Sequence, residues 1–199
     1  MSRLLSRRTH RCLTFAIIAM LTAFSVGLAS APVNAASPNG NASERHCIAK
    51  ATRVGTPVRF AVPVAVCFPT FAQALSAATA GSTQLSAGFK AKDLTRGQIR
   101  PSVQTVISID FVDAQWSGNT LTWYVDNDVG CANFDEYWAD TMPLGWNDVV
   151  SSAQMYDSCN FATHFEHTGF AGAYIDCLGN GCYTMGAMND ATSSEHWRK

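Results

Sequence analysis

Residues 147–152 read Asn147-Asp148-Val149-Val150-Ser151-Ser152, and forty-two positions later the chain repeats the pattern as Asn189-Asp190-Ala191-Thr192-Ser193-Ser194. Both copies are N-D-x-x-S-S. With ordinary usage near 5% for each fixed residue, a chance second copy in a chain of this length is on the order of 10⁻³. Each copy also follows an aromatic segment of fixed spacing. Phe111-Val112-Asp113-Ala114-Gln115-Trp116-Ser117-Gly118 reads F-x-x-x-x-W-x-G, and Phe165-Glu166-His167-Thr168-Gly169-Phe170-Ala171-Gly172 reads F-x-x-x-x-F-x-G. Aromatic corner, polar turn, aromatic corner, polar turn is the order of a duplicated unit.

The polar turn has a chemical character of its own. Asn and Asp favour turns because their side chains bond nearby backbone groups, and Ser does the same more weakly. Every polar ligand it offers is a hard oxygen. Such a set suits Ca²⁺, which takes six to eight oxygens in an irregular shell, better than transition metals, which prefer His or Cys.

Outward from the turns, residues from about 105 onward are short alternating runs separated by Gly, Asn and Asp. Residues 106–111, 120–124, 151–156 and 161–165 read as strands. No helical periodicity of useful length follows residue 105, which predicts an antiparallel sandwich of Greek keys over 105–199. Residues 36–104 read as a basic extension. Val54 to Phe68 is β-branched but interrupted by Pro57 and Pro63, as at a sheet edge. Thr70-Phe71-Ala72-Gln73 opens a helix predicted over 71–80, ended by Gly81. Its small apolar face of Phe71, Ala74, Leu75 and Ala78 cannot support a core alone, so it must dock or stay partly mobile.

Residues 1–35 read as a signal peptide. Arg3, Arg7, Arg8 and Arg11 precede an apolar run from Cys12 to Ala29, and Val33-Asn34-Ala35 supplies a cleavage pattern. The implied compartment is extracellular and oxidising. Cys47, Cys67, Cys131, Cys159, Cys177 and Cys182 then form three disulfides, with proximity favouring 47–67, 131–159 and 177–182. Charge is unevenly placed. Residues 36–108 carry eight Lys and Arg against two acids, a balance of +6, while residues 109–199 carry thirteen acids against Arg198 and Lys199, a balance of −11. The acidic half disfavours nucleic acid and anionic membrane as partners and favours cations or a basic protein face.

The corner followed by N/D-N/D-x-x-S/T-S, twice in one sandwich, resembles the microbial βγ-crystallin family over about residues 103–199. The resemblance implies a non-enzymatic, monomeric β-sandwich of two Greek keys with two Ca²⁺ sites and a short α-containing N-terminal extension. It makes the carbonyls of Val149 and Ala191 and the hydroxyls of Ser151 and Ser193 calcium ligands. Asn147, Asp148, Asn189 and Asp190 shape and charge the loops, Ser152 and Ser194 hold the turns, and the residue after each corner Phe adds oxygen. That residue is Glu166 in the second repeat but Val112 in the first, which offers only a carbonyl unless neighbouring Asp113 substitutes. Unequal sites are therefore expected. A family of secreted bacterial metalloproteinase inhibitors is similar in architecture, so a protease inhibitor is the alternative function. A module binding carbohydrate or cell-wall polysaccharide is a third.

Other candidates carry less. His164 and His167 flank Phe165-Glu166, face opposite ways in a strand and read as exposed residues. No G-x-S-x-G elbow exists, and nothing in the spacing of the thirteen acids selects a catalytic pair. Trp116 and Trp146 read as packing residues with Met188 the counterpart of Trp146. Trp123, Trp138 and Trp197 read as core or rim, with a ligand surface as the other use.

Overall fold

The computed structural model describes residues 44–55, 62–100 and 102–199, so the leader expected at 1–35 lies outside the described residues. The chain forms β1 (His46–Lys50), β2 (Thr52–Arg53), β3 (Val66–Phe68), α1 (Phe71–Ala78), β4 (Thr105–Asp113), β5 (Ser117–Val125) and β6 (Tyr137–Ala139). It continues with β7 (Ser152–Met155), β8 (Phe161–His167), β9 (Ala171–Leu178), β10 (Gly181–Cys182) and β11 (Ser194–Arg198). Among the described residues no helix is long and apolar enough to cross a membrane.

The strand order, β2-β6-β11-β8-β9-β10-β7-β4-β5-β1-β3, resolves into two interlocked Greek keys. The first key is β4 to β7 and the second β8 to β11. In each, the first strand pairs antiparallel with the second and with the fourth. The third strand leaves for the other key: β6 pairs with β11, and β10 pairs with β7. One sheet is thus β10-β7-β4-β5 and the other β6-β11-β8-β9, joined by a single β9–β10 pair at Leu178 and Gly181. The chain is mainly β, as the alternating runs predict.

The two corners correspond residue for residue in strand register and in backbone φ. Phe111 and Phe165 stand at the ends of paired strands that lose register just after them, between Phe111 and Asp113 and between Phe165 and His167. Val112 and Glu166 each lie opposite two residues of the partner strand, Gly118-Asn119 on β5 and Gly172-Ala173 on β9, so the extra residue of each bulge is on β5 or β9 and bends it at the corner. The turns close through left-handed backbone at Gln115 and Trp116 (φ 63° and 57°) and at Gly169 and Phe170 (φ 69° and 64°). Gly118 and Gly172 complete the corners at φ 79° and 83°, and a Cβ on Gly118 would stand 2.3 Å from Asp113 Oδ2. The fixed glycine of F-x-x-x-x-W/F-x-G follows from that left-handed φ, which a side chain strains, rather than from the approach, since the Asp113 carboxylate end can swing aside.

Residues before the keys extend both sheets. β1 runs parallel to β5, with β3 antiparallel beyond it, and β2 adds to the edge of the other sheet through β6. Helix α1 ends at Ala78, two residues earlier than predicted. Thr79 Oγ1 donates to the Leu75 carbonyl at 2.9 Å, and Ala80 and Gly81 then take φ 48° and 83°. Thr70 Oγ1 accepts from the Gln73 N–H at 3.3 Å, the N-cap half of the predicted box.

Two apolar layers result. Ile107, Leu121, Trp123, Met155, Trp146 and Trp197 pack between the sheets. Phe71, Ala74, Leu75 and Ala78 of α1 pack with Ile48 of β1 and Val106, Ile109 and Phe111 of β4 on the outer face of that sheet. Trp123 and Trp197 are fully buried, 5.0 Å apart, so both are core. Trp138 instead lies half-buried and stacks on Phe170 at 5.6 Å. The disulfides are Cys47–Cys67, Cys131–Cys159 and Cys177–Cys182, the three pairs that proximity favours. One expectation fails: His164 has no solvent exposure and lies in the interior, while His167 beyond the bulge is exposed. Alternation along β8 puts His164 on the same inward face as Ala162.

Candidate functional site: two crossed polar turns

Each N-D-x-x-S-S segment is a loop that ends as its strand begins, since Ser152 opens β7 and Ser194 opens β11. The second residue of each loop, Asp148 or Asp190, takes left-handed backbone at φ 56° or 54°. Asp tolerates that region better than most residues, which accounts for its place in the repeat. The preceding Asn fixes the carboxylate. Asn147 Nδ2 donates to Asp148 Oδ2 at 2.6 Å, and Asn189 Nδ2 donates to Asp190 Oδ2 at 2.8 Å. Oδ1 is left to look elsewhere.

It looks across to the other repeat. Asp190 Oδ1 lies 2.8 Å from Ser151 Oγ, and Asp148 Oδ1 lies 3.1 Å from Ser193 Oγ. The backbones cross in the same sense, the Asp148 N–H donating to the Thr192 carbonyl and the Asp190 N–H to the Val150 carbonyl, each at 3.0 Å. Each loop is tied to its own corner as well. The Ser151 and Ser193 N–H groups donate to the Phe111 and Phe165 carbonyls, both at 2.8 Å.

The two serines of the first pair differ in what their single hydroxyl protons face. Ser152 Oγ donates to the Asp113 carbonyl at 2.7 Å and accepts from the Trp116 N–H at 3.0 Å, which satisfies it. Ser194 repeats this with the His167 carbonyl at 2.7 Å and the Phe170 N–H at 3.0 Å. Ser151 Oγ faces two acceptors instead, the Val112 carbonyl at 2.7 Å and Asp190 Oδ1 at 2.8 Å. One hydroxyl proton cannot serve both. One contact is then oxygen against oxygen, an arrangement that a cation relieves.

The remaining predicted site residues fall around this crossing. Val149 and Ala191 are half-buried against the inter-sheet core, and among the described residues neither carbonyl accepts a hydrogen bond. Glu166 is half-buried, with Oε2 accepting from the Ala173 N–H at 3.0 Å. Its side chain thus ties the corner to β9. Val112 meets Ser151 through its backbone carbonyl alone. Two clusters therefore form: Val112, Ser151 and Asp190 in one, Ser193 and Asp148 in the other. The cross-pairing of Asp with the other repeat's Ser is absent from the sequence reading, which kept each Asp within its own loop. The signal for it is the strand exchange, which no local pattern encodes.

No family model and no curated protein matches this sequence. Among solved structures, a βγ-crystallin from an archaeon is similar at 15% identity, covering 46% of this chain and 96% of that one, with a TM-score of 0.33. A βγ-crystallin from Ciona intestinalis is similar at 21% identity, covering 44% of this chain and 94% of that one, with a TM-score of 0.33. Each of these similarities covers under half of this chain.

Proposed function

We propose that this is a secreted, non-enzymatic Ca²⁺-binding protein whose two crossed turns hold calcium and gain stability from it. The observation that carries the reading is Ser151, whose single hydroxyl proton sits between a carbonyl and a carboxylate. Val112, Ser151 and Asp190 would hold one ion, with the free Val149 carbonyl beside them. Asp148 and Ser193, with Ala191, would hold the other. The donors are all oxygen and tolerate an irregular shell, as calcium requires. Three disulfides fit an extracellular setting.

Extracellular calcium modules bind as weakly as about 10⁻⁴–10⁻³ M. Mass action at about 10 mM calcium then raises the melting temperature by about 3–10 °C. Calorimetric titration and thermal melts in calcium and in EGTA test this. No heat and no shift would sink it.

A second reading, a polysaccharide-binding module, draws on the outer face of the β8–β9 sheet. Trp138 stacks on Phe170 there, and Tyr174, 62% exposed, lies 6.0 Å from Phe165. Pull-down on insoluble cell-wall polysaccharide, with Tyr174→Ala and Trp138→Ala as controls, tests it. Equal retention of the variants and the parent would remove the reading.

A further inference from the structure

Asp110 on β4, His164 on β8 and Glu195 on β11 meet between the two sheets with no solvent exposure. One ligand atom from each lies within 4.8 Å of the others, and His164 Nδ1 stands 3.4 Å from Glu195 Oε1. Only Asp110 Oδ2 is partnered, by the indole N–H of Trp123 at 2.7 Å. Asp110 Oδ1, both ring nitrogens of His164 and both oxygens of Glu195 have no hydrogen-bond partner among the described residues. Buried polar atoms are normally paired, and each unpaired one costs about 1–3 kcal/mol, more when charged. Three buried groups that bring five such atoms together, with one atom of each within 4.8 Å of the others, call for an occupant or a shared proton.

We propose that Asp110, His164 and Glu195 form a structural binding site for one divalent first-row transition ion of the Zn²⁺ class. The donor set decides the ion. Calcium takes oxygen shells, whereas one imidazole and two carboxylates suit zinc and its neighbours. Charge agrees, since two carboxylates neutralise a divalent cation and the imidazole binds neutral. Around a tetrahedral ion with bonds of about 2.0–2.2 Å, ligand atoms stand about 3.3–3.6 Å apart. The His164–Glu195 separation already meets that spacing, and the widest one closes by a side-chain adjustment of about 1 Å. Trp123 holds Asp110 by its far oxygen, as outer-shell partners of metal ligands do.

The site's position states its role. Asp110 belongs to the β10-β7-β4-β5 sheet, while His164 and Glu195 belong to the facing sheet, so the ion ties the two layers together. Asp110 and His164 are also equivalent in the duplication, each immediately preceding its corner Phe. One repeat supplies a carboxylate and the other an imidazole. Full burial under Trp123 and Trp197 leaves no path for substrate, so the ion is built in during folding rather than used for catalysis. This site shares no residue with the crossed turns and does not depend on their binding calcium.

The purified protein is unfolded in guanidinium with 1,10-phenanthroline, disulfides intact, and refolded at fixed calcium with or without Zn²⁺ or Co²⁺. The expected result is about one ion per chain by elemental analysis and a raised melting temperature. Because its ligands have no solvent exposure, the ion should leave far more slowly in EGTA than calcium does. The Co²⁺ form should show ligand-field absorption. His164→Gln and Glu195→Gln, checked for folding by circular dichroism, should hold less than about a tenth of that ion. Ser151→Ala should keep all of it. Parent protein refolding with no bound Zn²⁺ or Co²⁺ and an unchanged melting temperature overturns the proposal without recourse to any variant. So does a folded variant that retains the ion, and in either case three neutral groups sharing protons are left as the account of the cluster.

Discussion

At the scale of single residues, the serine pairs separate two roles that look alike in sequence. Ser152 is buried with its donor and acceptor both satisfied, so Ser152→Ala should cost about 1–3 kcal/mol in EGTA, read by urea unfolding. Ser151→Ala removes an oxygen from a surplus of acceptors. It should cost little in EGTA and erase part of the calcium-dependent shift. The crossing makes a sharper claim. Ser151→Ala and Asp190→Asn act on one site, so their effects on the calcium shift should overlap, whereas Asp190→Asn with Ser193→Ala should remove both sites. Additive behaviour within the first pair would contradict the crossed assignment.

Glu195 gives the residue scale a pH signature in metal-free protein. Burial raises its carboxyl from the ordinary range to about 8, with Asp110 and His164 the titratable groups facing it. Between about pH 4.5 and 8 the folded state keeps a proton that the unfolded state has released. That stabilisation is complete below the unfolded pKa and is lost as pH rises through the folded one. Phenanthroline-treated protein should therefore become less stable to urea from pH 5 to pH 9, a slope that Glu195→Gln should flatten. The Asn-Asp-Ser turns were legible in the sequence because side-chain-to-backbone bonds are local. His164 was not legible as interior, because alternation says only that it and His167 face opposite ways, and which face points inward is set by the facing sheet.

Among the elements, α1 shows how much the region before residue 105 contributes to the folded state. Leu75 of α1 is fully buried against the outer face of the β1-β5-β4 sheet, so Leu75→Ala should cost about 2–5 kcal/mol. A melting temperature lowered by at least about 4 °C checks this, with the calcium shift retained. A variant that melts like the parent would mean that the helix is not part of the cooperative core. Strands β4, β5, β7 and β8 were visible as alternating runs that include apolar residues. β6, β9, β10 and β11 were not: β6 and β10 are only three and two residues long, and β9 is mostly exposed. Strands of those kinds carry no strong one-sided pattern. β1 pairs parallel with a strand about seventy residues away, beyond any local signal.

For the whole molecule, exchange of the third strands means neither key completes its own sheet. Unfolding should be a single transition, with tryptophan fluorescence and far-ultraviolet circular dichroism giving coincident curves in urea. Separate midpoints would show that one key survives the other. The sequence by itself determined the duplication, the oxygen-rich turns and the corner glycines, and favoured the disulfide pairing without deciding it. Each of these depends on bonds within a turn or on cysteines at most 28 positions apart. Only the tertiary structure decided which Asp faces which Ser, across 39 and 45 positions, and that Asp110, His164 and Glu195 meet. Those contacts exist because β6 and β10 trade sheets, and the trade is settled by how two apolar faces close on one core rather than by any residue's local preference.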